Sequence, residues 1–304
     1  MGRKHTATAT GVLVINKSEG MTSHDVVSCV RRLYGTRQVG HTGTLDPMAT
    51  GVLPVLLGRT VKASDFVMAE EKEYAAELTL GITTDTEDTT GKILSESDNI
   101  PDEAAVKSAC GKFVGEILQT PPMYSALKVG GRKLYDLARE GVTVEREPRR
   151  INVNSIEPEK ISERVYSLRV VCSKGTYIRT LCADIGRALG CGGAMSALCR
   201  TRTGRFALDG AVTLDELEKM TPEERAALPL PTETLFEELP AIELDPFFAR
   251  LAKNGCEIYL KKIGKSFDVG QTVRLRAGGE FFALGKVAAY PDGDAVKPVK
   301  LFVL

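Results

Sequence analysis

Gly40-His41-Thr42-Gly43-Thr44-Leu45-Asp46-Pro47, continuing through Met48-Ala49-Thr50-Gly51 into Val52-Leu53-Pro54-Val55-Leu56-Leu57, is the stretch on which the reading of this chain turns. Residues 40–51 are rich in glycine and threonine and read as a loop. Residues 52–57 are core-like, so the loop is anchored on a rigid apolar element. Its one carboxylate is Asp46. Two readings of Asp46 stand side by side. An aspartate before proline commonly bonds to the turn backbone and does no more. A partly buried carboxylate needs a cation or donors, and such groups also serve catalysis.

Outward from the loop, 11–17 reads as a buried strand. Thr22 to Asp25 opens a helix in capping-box style. Its apolar positions are Val26, Val27, Val30, Leu33 and Tyr34, and Gly35 stops it. Residues 72–80 alternate as a strand, with Tyr74, Ala76, Leu78 and Leu80 on one face. A polar turn fills 83–91, and 101–113 looks helical. Residues 132–140 read as a short basic helix ended by Gly141. The 165–172 stretch alternates again, and a turn at Ser173-Lys174-Gly175 leads to a helix over 178–189, closed by Gly190.

Five of the fourteen prolines fall within 222–246, amid a heavy acidic excess. That shift predicts a boundary between a larger domain, 1–242, and a smaller one, 243–304. In the smaller one, 272–277 and 281–287 alternate around Gly278-Gly279 as a hairpin, and 298–304 is a further short strand. Strands and helices mix without a regular βαβ rhythm, so the expected class is α+β with a β-rich C-terminal module.

The composition, 43% hydrophobic and 26% charged, is that of a soluble globular protein. No 18-residue apolar run predicts a membrane helix, and the N-terminus lacks the apolar stretch of a secretory signal. Seven cysteines without a CxxC pair, and three histidines, argue against zinc. An odd thiol count without a signal fits a reducing cytoplasm. The net charge of zero conceals blocks. Residues 121–205 carry 16 basic and 8 acidic side chains, and 247–304 carry 10 and 5. The intervening 206–246 carries 2 and 11. The two basic regions could meet phosphates as one patch, or scatter over a mixed surface. No phosphate-binding glycine loop, dinucleotide fingerprint or serine-nucleophile elbow is present.

Other candidates are equally two-sided on local grounds. Arg179 lies off the apolar face formed by Ile178, Leu181, Cys182, Ile185, Ala188 and Leu189, beside Ala183 and Gly186, whose small side chains should leave space for it. A cation near a helix start opposes the macrodipole and invites a specific partner, although a solvent-facing arginine is equally compatible. Tyr74 suits a core or a site. His41 and Tyr177 lie near basic residues, as base stacking requires. Asp85, Glu87 and Asp88 lack the ligand count and glycine placement of a calcium loop, so no metal is expected.

The run GHTGTLDPMATGVLPVLLG closely resembles the active-site motif of the TruB family of pseudouridine synthases. Five further segments resemble family motifs in family order. They are Asn16 to Ser23, Lys72 to Tyr74 with Leu80 to Asp88, Gln119 to Lys128, and Cys172 to Thr180; Leu198 to Thr201 matches the last of the set. Together they span about residues 11–210. The tail after 245 is similar, less specifically, to a PUA-like RNA-binding domain. Asn16, Ser18 and Cys199 depart from the residues usual in the family, which are aspartate, proline and arginine.

The resemblance implies a mixed, largely antiparallel sheet flanked by helices, and isomerisation of uridine 55 in the T-loop of tRNA to pseudouridine. Asp46 would attack the ribose, Arg179 would hold and orient it, and Tyr74 would stack on the flipped base and help move a proton. Tyr177 and Leu198 would line the uracil pocket, and His41 would fill the gap the base leaves. Lys17, with Lys128 and Arg132 in a thumb at about 124–150, would grip the RNA backbone. The reaction is intramolecular, so no cofactor and no metal are implied. An RNA-binding or tRNA-folding module without catalysis is the rival reading. Guide-RNA-dependent relatives carry longer terminal extensions, and a chain whose first motif begins near residue 11 looks stand-alone, cytoplasmic and monomeric.

Overall fold

Alternating apolar stretches build one large sheet, and the site sits on its face. The computed structural model describes residues 9–67 and 71–303. The sheet runs in the order Gly11–Lys17, Thr50–Leu57, Gly193–Thr203, Lys72–Leu80, Val165–Cys172, Arg149–Lys160, Gly115–Gln119. Short strands Val39–His41 and Phe206–Ala207 add to it, making nine. Its strand pairings are antiparallel except one, where Cys199 and Arg200 run parallel to Thr50 and Gly51. The sheet is therefore mixed and largely antiparallel, as expected.

The Lys72–Leu80 strand lies between Gly193–Thr203 and Val165–Cys172, so its alternation is fully used. Tyr74, Ala76, Leu78 and Leu80 are all buried on one face. Helix Ser23–Tyr34 begins with the expected capping box between Thr22 and Asp25 and ends on left-handed Gly35. Helix Ile178–Leu189 packs on the sheet and ends on left-handed Gly190.

Three local expectations are corrected. The loop around Asp46 is shorter than 40–51, because Val39–His41 and Thr50–Leu57 pair and leave 42–49 irregular. The basic helix starts later, at Leu134, and ends at Arg139. Its expected first turn is a hairpin instead, in which Lys128–Val129 pairs with Arg132–Lys133. Gly130 and Gly131 both take positive φ there, the geometry of a tight two-residue hairpin turn. Third, Gly186 leaves no space for Arg179. A Cβ on Gly186 would lie 2.1 Å from the Gly193 nitrogen, so the missing side chain lets helix and strand touch.

The C-terminal part forms a five-stranded sheet in the order Ala241–Glu243, Thr272–Ala277, Glu280–Tyr290, Gly293–Leu301, Ile258–Tyr259. It has its own core around Leu275, Phe282 and Val296. Phe236, Phe281, Leu284 and Phe302 form a separate apolar cluster that reaches Ala63 of the large sheet's periphery.

Gly186→Ala tests the helix–strand contact. Alanine raises helix propensity at an exposed site by about 1 kcal/mol, so a merely permissive glycine predicts a more stable protein. The backbone clash predicts the reverse, a loss of roughly 1–3 kcal/mol in urea unfolding.

Candidate active site

The loop 42–49 is irregular but tightly held. The Leu45 N–H donates to Ser23 Oγ at 2.8 Å, and Ser23 Oγ donates back to the Leu45 carbonyl at 3.1 Å. The Gly20 N–H donates to the Pro47 carbonyl at 2.8 Å. Leu45 and Ala49 are buried beneath the loop. The segment Asn16 to Ser23 thus acts as a brace for the residues flanking Asp46.

Lys17 belongs to that brace. It is fully buried, and its Nζ donates to the carbonyls of Ser18, Met21 and Pro47 at 2.9, 2.7 and 3.3 Å. The expectation that it grips RNA is corrected: its three ammonium protons are spent on backbone. Burial lowers its pKa to about 8, against the opposing pull of Asp46 and Glu19.

Asp46 itself faces a cleft of about 720 Å³. Arg179 lies behind it, with Nε 2.9 Å from Asp46 Oδ2. The arginine side chain is 6% exposed and the aspartate 36%, so the cation is sealed while the carboxylate looks outward. Arg179 Nη1 donates to the Thr86 carbonyl at 3.1 Å, and Nη2 to the Tyr124 carbonyl at 2.8 Å. Asp88, also buried, lies 3.7 Å from Nη1. Nearly the whole guanidinium fork is engaged, as burial of such a charge demands. The solvent-facing reading of Arg179 is excluded.

The acidic turn does not gather for a metal. Asp88 Oδ1 accepts from Thr86, Thr90 and the Thr90 N–H. Asp85 caps the Lys92 N–H, and Glu87 accepts from the Thr180 hydroxyl. Among the described residues no cluster of metal-ligating side chains occurs.

Tyr74, Tyr177 and Leu198 line the same cleft as Asp46 and Arg179. Burial raises the Tyr74 phenol pKa, and the adjacent Arg200 guanidinium opposes the rise. Tyr177 caps the helix that carries Arg179, and the Gln119 amide pins it by bonding both its N–H and its carbonyl. The remaining candidates stand elsewhere. His41 ends its strand half-buried, and its Nδ1 accepts from the Gly43 N–H at 3.3 Å. Lys128 and Arg132 are exposed on the hairpin, where Arg132 pairs with Glu140.

The cleft also holds basic residues beyond the individual candidates, of which Arg149 and Arg150 end the expected thumb. Lys72, Arg149, Arg150, Lys174 and Arg200 line it with Arg179, against only Asp46 and Asp65 of acidic character among the described residues. Alternation flagged the strand carrying Lys72, but its basic residue at a buried position was the unused signal.

The family model described as TruB family pseudouridylate synthase (N terminal domain) matches residues 31–178. A second, described as tRNA pseudouridylate synthase B C-terminal domain, matches 179–237. A relative from Clostridium tetani named tRNA pseudouridine synthase B is 43% identical, covering 96% of this chain and 99% of its own. Another of that name, from Alkaliphilus oremlandii, is 44% identical over 91% of this chain and 93% of its own. Among solved structures, a Cbf5-Nop10-Gar1 complex aligns with a TM-score of 0.72 and 28% identity, covering 97% of this chain and 86% of that one. An H/ACA RNP bound to a substrate RNA containing 2'-deoxyuridine aligns with the same TM-score at 26% identity, covering 98% and 86%. The fold is thus that of a pseudouridine synthase. Within that class, the chain belongs to the TruB family of pseudouridylate synthases.

The buried Lys17 ammonium makes a testable pH signature. Its folded pKa, about 8, lies below the ordinary lysine value of 10.5. Between these values the unfolded chain binds more protons, so stability rises with pH across that window. Unfolding in urea from pH 8 to 10.5 should show a positive slope in wild type relative to Lys17→Met. Parallel curves would contradict the buried charge.

Proposed function

We propose that the protein isomerises uridine 55 in the T-loop of tRNA to pseudouridine, with Asp46 as nucleophile. The observation that carries this reading is the cleft-facing Asp46 carboxylate held at 2.9 Å by a sealed Arg179. Family membership and the names of full-length relatives support the substrate and the reaction class.

The chemistry needs only this chain's side chains. Asp46 attacks the ribose C1′, and the C1′–N1 glycosidic bond breaks as the C1′–oxygen bond forms. A carboxylate suits a sugar centre with oxocarbenium character. The freed uracil rotates within the cleft and bonds through C5, displacing Asp46. The C5 proton is lost and N1 gains one, so the balance is an isomerisation. Tyr74, Tyr177 and Leu198 would hold the flipped base between apolar and aromatic surfaces, offsetting the few kcal/mol that flipping costs. Tyr74 stands nearest the role of proton carrier.

The basic cleft wall, with Arg149, Arg150 and Lys174, fits a phosphate backbone. We assign the thumb at 124–150, including Lys128 and Arg132, and a PUA-like domain at 243–304 to further RNA contacts, with the catalytic domain at 1–242. His41 would fill the vacated stack. The enzyme would act in the cytoplasm as a monomer without guide RNA. Relatives named tRNA pseudouridine synthase B match at 43–44% identity over nearly their whole length, against 26–28% for the Cbf5 and H/ACA structures, which favours the stand-alone branch. Among the described residues no helix is long and apolar enough to cross a membrane.

Mapping pseudouridine in tRNA incubated with wild type and Asp46→Asn tests the assignment. The variant should form none while binding tRNA within about tenfold of wild type, because only the transition state uses the charge. Near-native turnover would refute the mechanism. Affinity should also fall steeply between 50 and 200 mM salt through counterion release, and a flat response would remove the phosphate-clamp role of the cleft wall.

A further inference from the structure

Arg200 is the largest fully buried side chain among the described residues, 1% exposed. Among those residues it has no ion-pair partner. Its bonds run to main chain: Nε donates to the Val52 carbonyl at 2.7 Å, and Nη2 to the Gly43 carbonyl at 3.1 Å. These two carbonyls bracket the loop that carries Asp46. The register places Arg200 directly opposite Tyr74, with both side chains on the face that floors the cleft. On its other side Arg200 pairs with Gly51, where φ is +100° and a Cβ would lie 2.3 Å from the Arg200 carbonyl oxygen. Only glycine admits this approach.

A buried cation among carbonyls is costly to keep, so its place calls for a reason. Aliphatic packing would fill the same volume without the charge. The arginine instead joins three parts of the cleft: the start of the Asp46 loop, its return strand, and the Tyr74 phenol. Its field opposes the burial effect on Tyr74, and it helps to hold the His41 imidazole below its ordinary range, after burial itself. The planar fork carries donors on separate nitrogens at fixed spacing and direction, so it reaches two carbonyls that one compact ammonium nitrogen cannot reach in the same geometry.

We propose that Arg200 is a positioning residue for this reaction: its guanidinium ties both ends of the Asp46 loop together and aims the Tyr74 phenol into the cleft. The proposal rests on the reading of Asp46 as nucleophile and adds that Arg200 acts through Tyr74.

A double-mutant cycle tests it, with single-turnover pseudouridine formation on a tRNA transcript as the readout. Arg200→Lys should slow the step about 100-fold, the scale set by small misplacements of reacting groups. Its tRNA Kd should stay within threefold. In a Tyr74→Phe background the same change should cost at least about threefold less than in wild type, because one of the two groups it positions is gone. Additive losses, a loss confined to Kd, or a normal rate in Arg200→Lys would each overturn the proposal. Thermal melts accompany each variant. Should Arg200→Lys unfold, Arg200→Gln, which keeps a planar donor, serves the same cycle with the same outcomes. Asp46→Asn run in parallel separates the two claims: turnover in that variant refutes the nucleophile, whereas additivity with an inactive Asp46→Asn refutes only the role of Arg200.

Discussion

One buried ion pair organises the centre of this protein. Arg179 is sealed from solvent, and an unpaired guanidinium there would cost several kcal/mol. Its donors are met by Asp46, Asp88 and the carbonyls of Thr86 and Tyr124. These groups come from three separate stretches of chain, and the helix bearing Arg179 is a fourth. The chain must fold so that all four meet. That requirement explains why family-like segments far apart in sequence recur as a set. The acidic turn at 85–88 is thereby a structural partner of the arginine, not a cation site.

A second constraint is rigidity in a loop without secondary structure. Irregular backbone near a cleft would ordinarily be mobile. Here 42–49 is fastened by Ser23 and Gly20 from one side, Lys17 from below and Arg200 from the sheet. Two of these clamps are fully buried cations bonding to carbonyls. Such groups stabilise poorly for their cost, yet they define one geometry, which suits the nucleophilic role proposed for Asp46. The departure at Ser18 leaves this arrangement intact, since Ser18 contributes only its carbonyl to Lys17.

Much of the frame was legible in the sequence, because periodicity reports burial on one face. The strand at 72–80 and the helices at 23–34 and 178–189 follow directly from it. The site was less legible. Local sequence left Asp46 open between turn residue and nucleophile, and Arg179 open between surface and core. Tertiary contact decides such cases, and contact has no local signature. Lys17 and Arg200 show the limit most clearly. Both look like surface charges in a linear reading, and both are buried by strands that pair far along the chain. The hairpin at 128–133 is hidden for a simpler reason: its basic residues are helix-compatible, and the Gly130-Gly131 turn is its one local mark.

In the proposed mechanism Arg179 orders Asp46 for the chemical step and not for RNA capture. Single-turnover kinetics of Arg179→Lys, paired with tRNA binding by the same protein, tests it most directly. Lysine keeps the charge and loses the fork that meets four partners. The chemical step should slow by at least about 100-fold, comparable to loss of a preorganised electrostatic contact, with tRNA Kd within threefold. A rate near wild type, or a defect wholly in Kd, would contradict it.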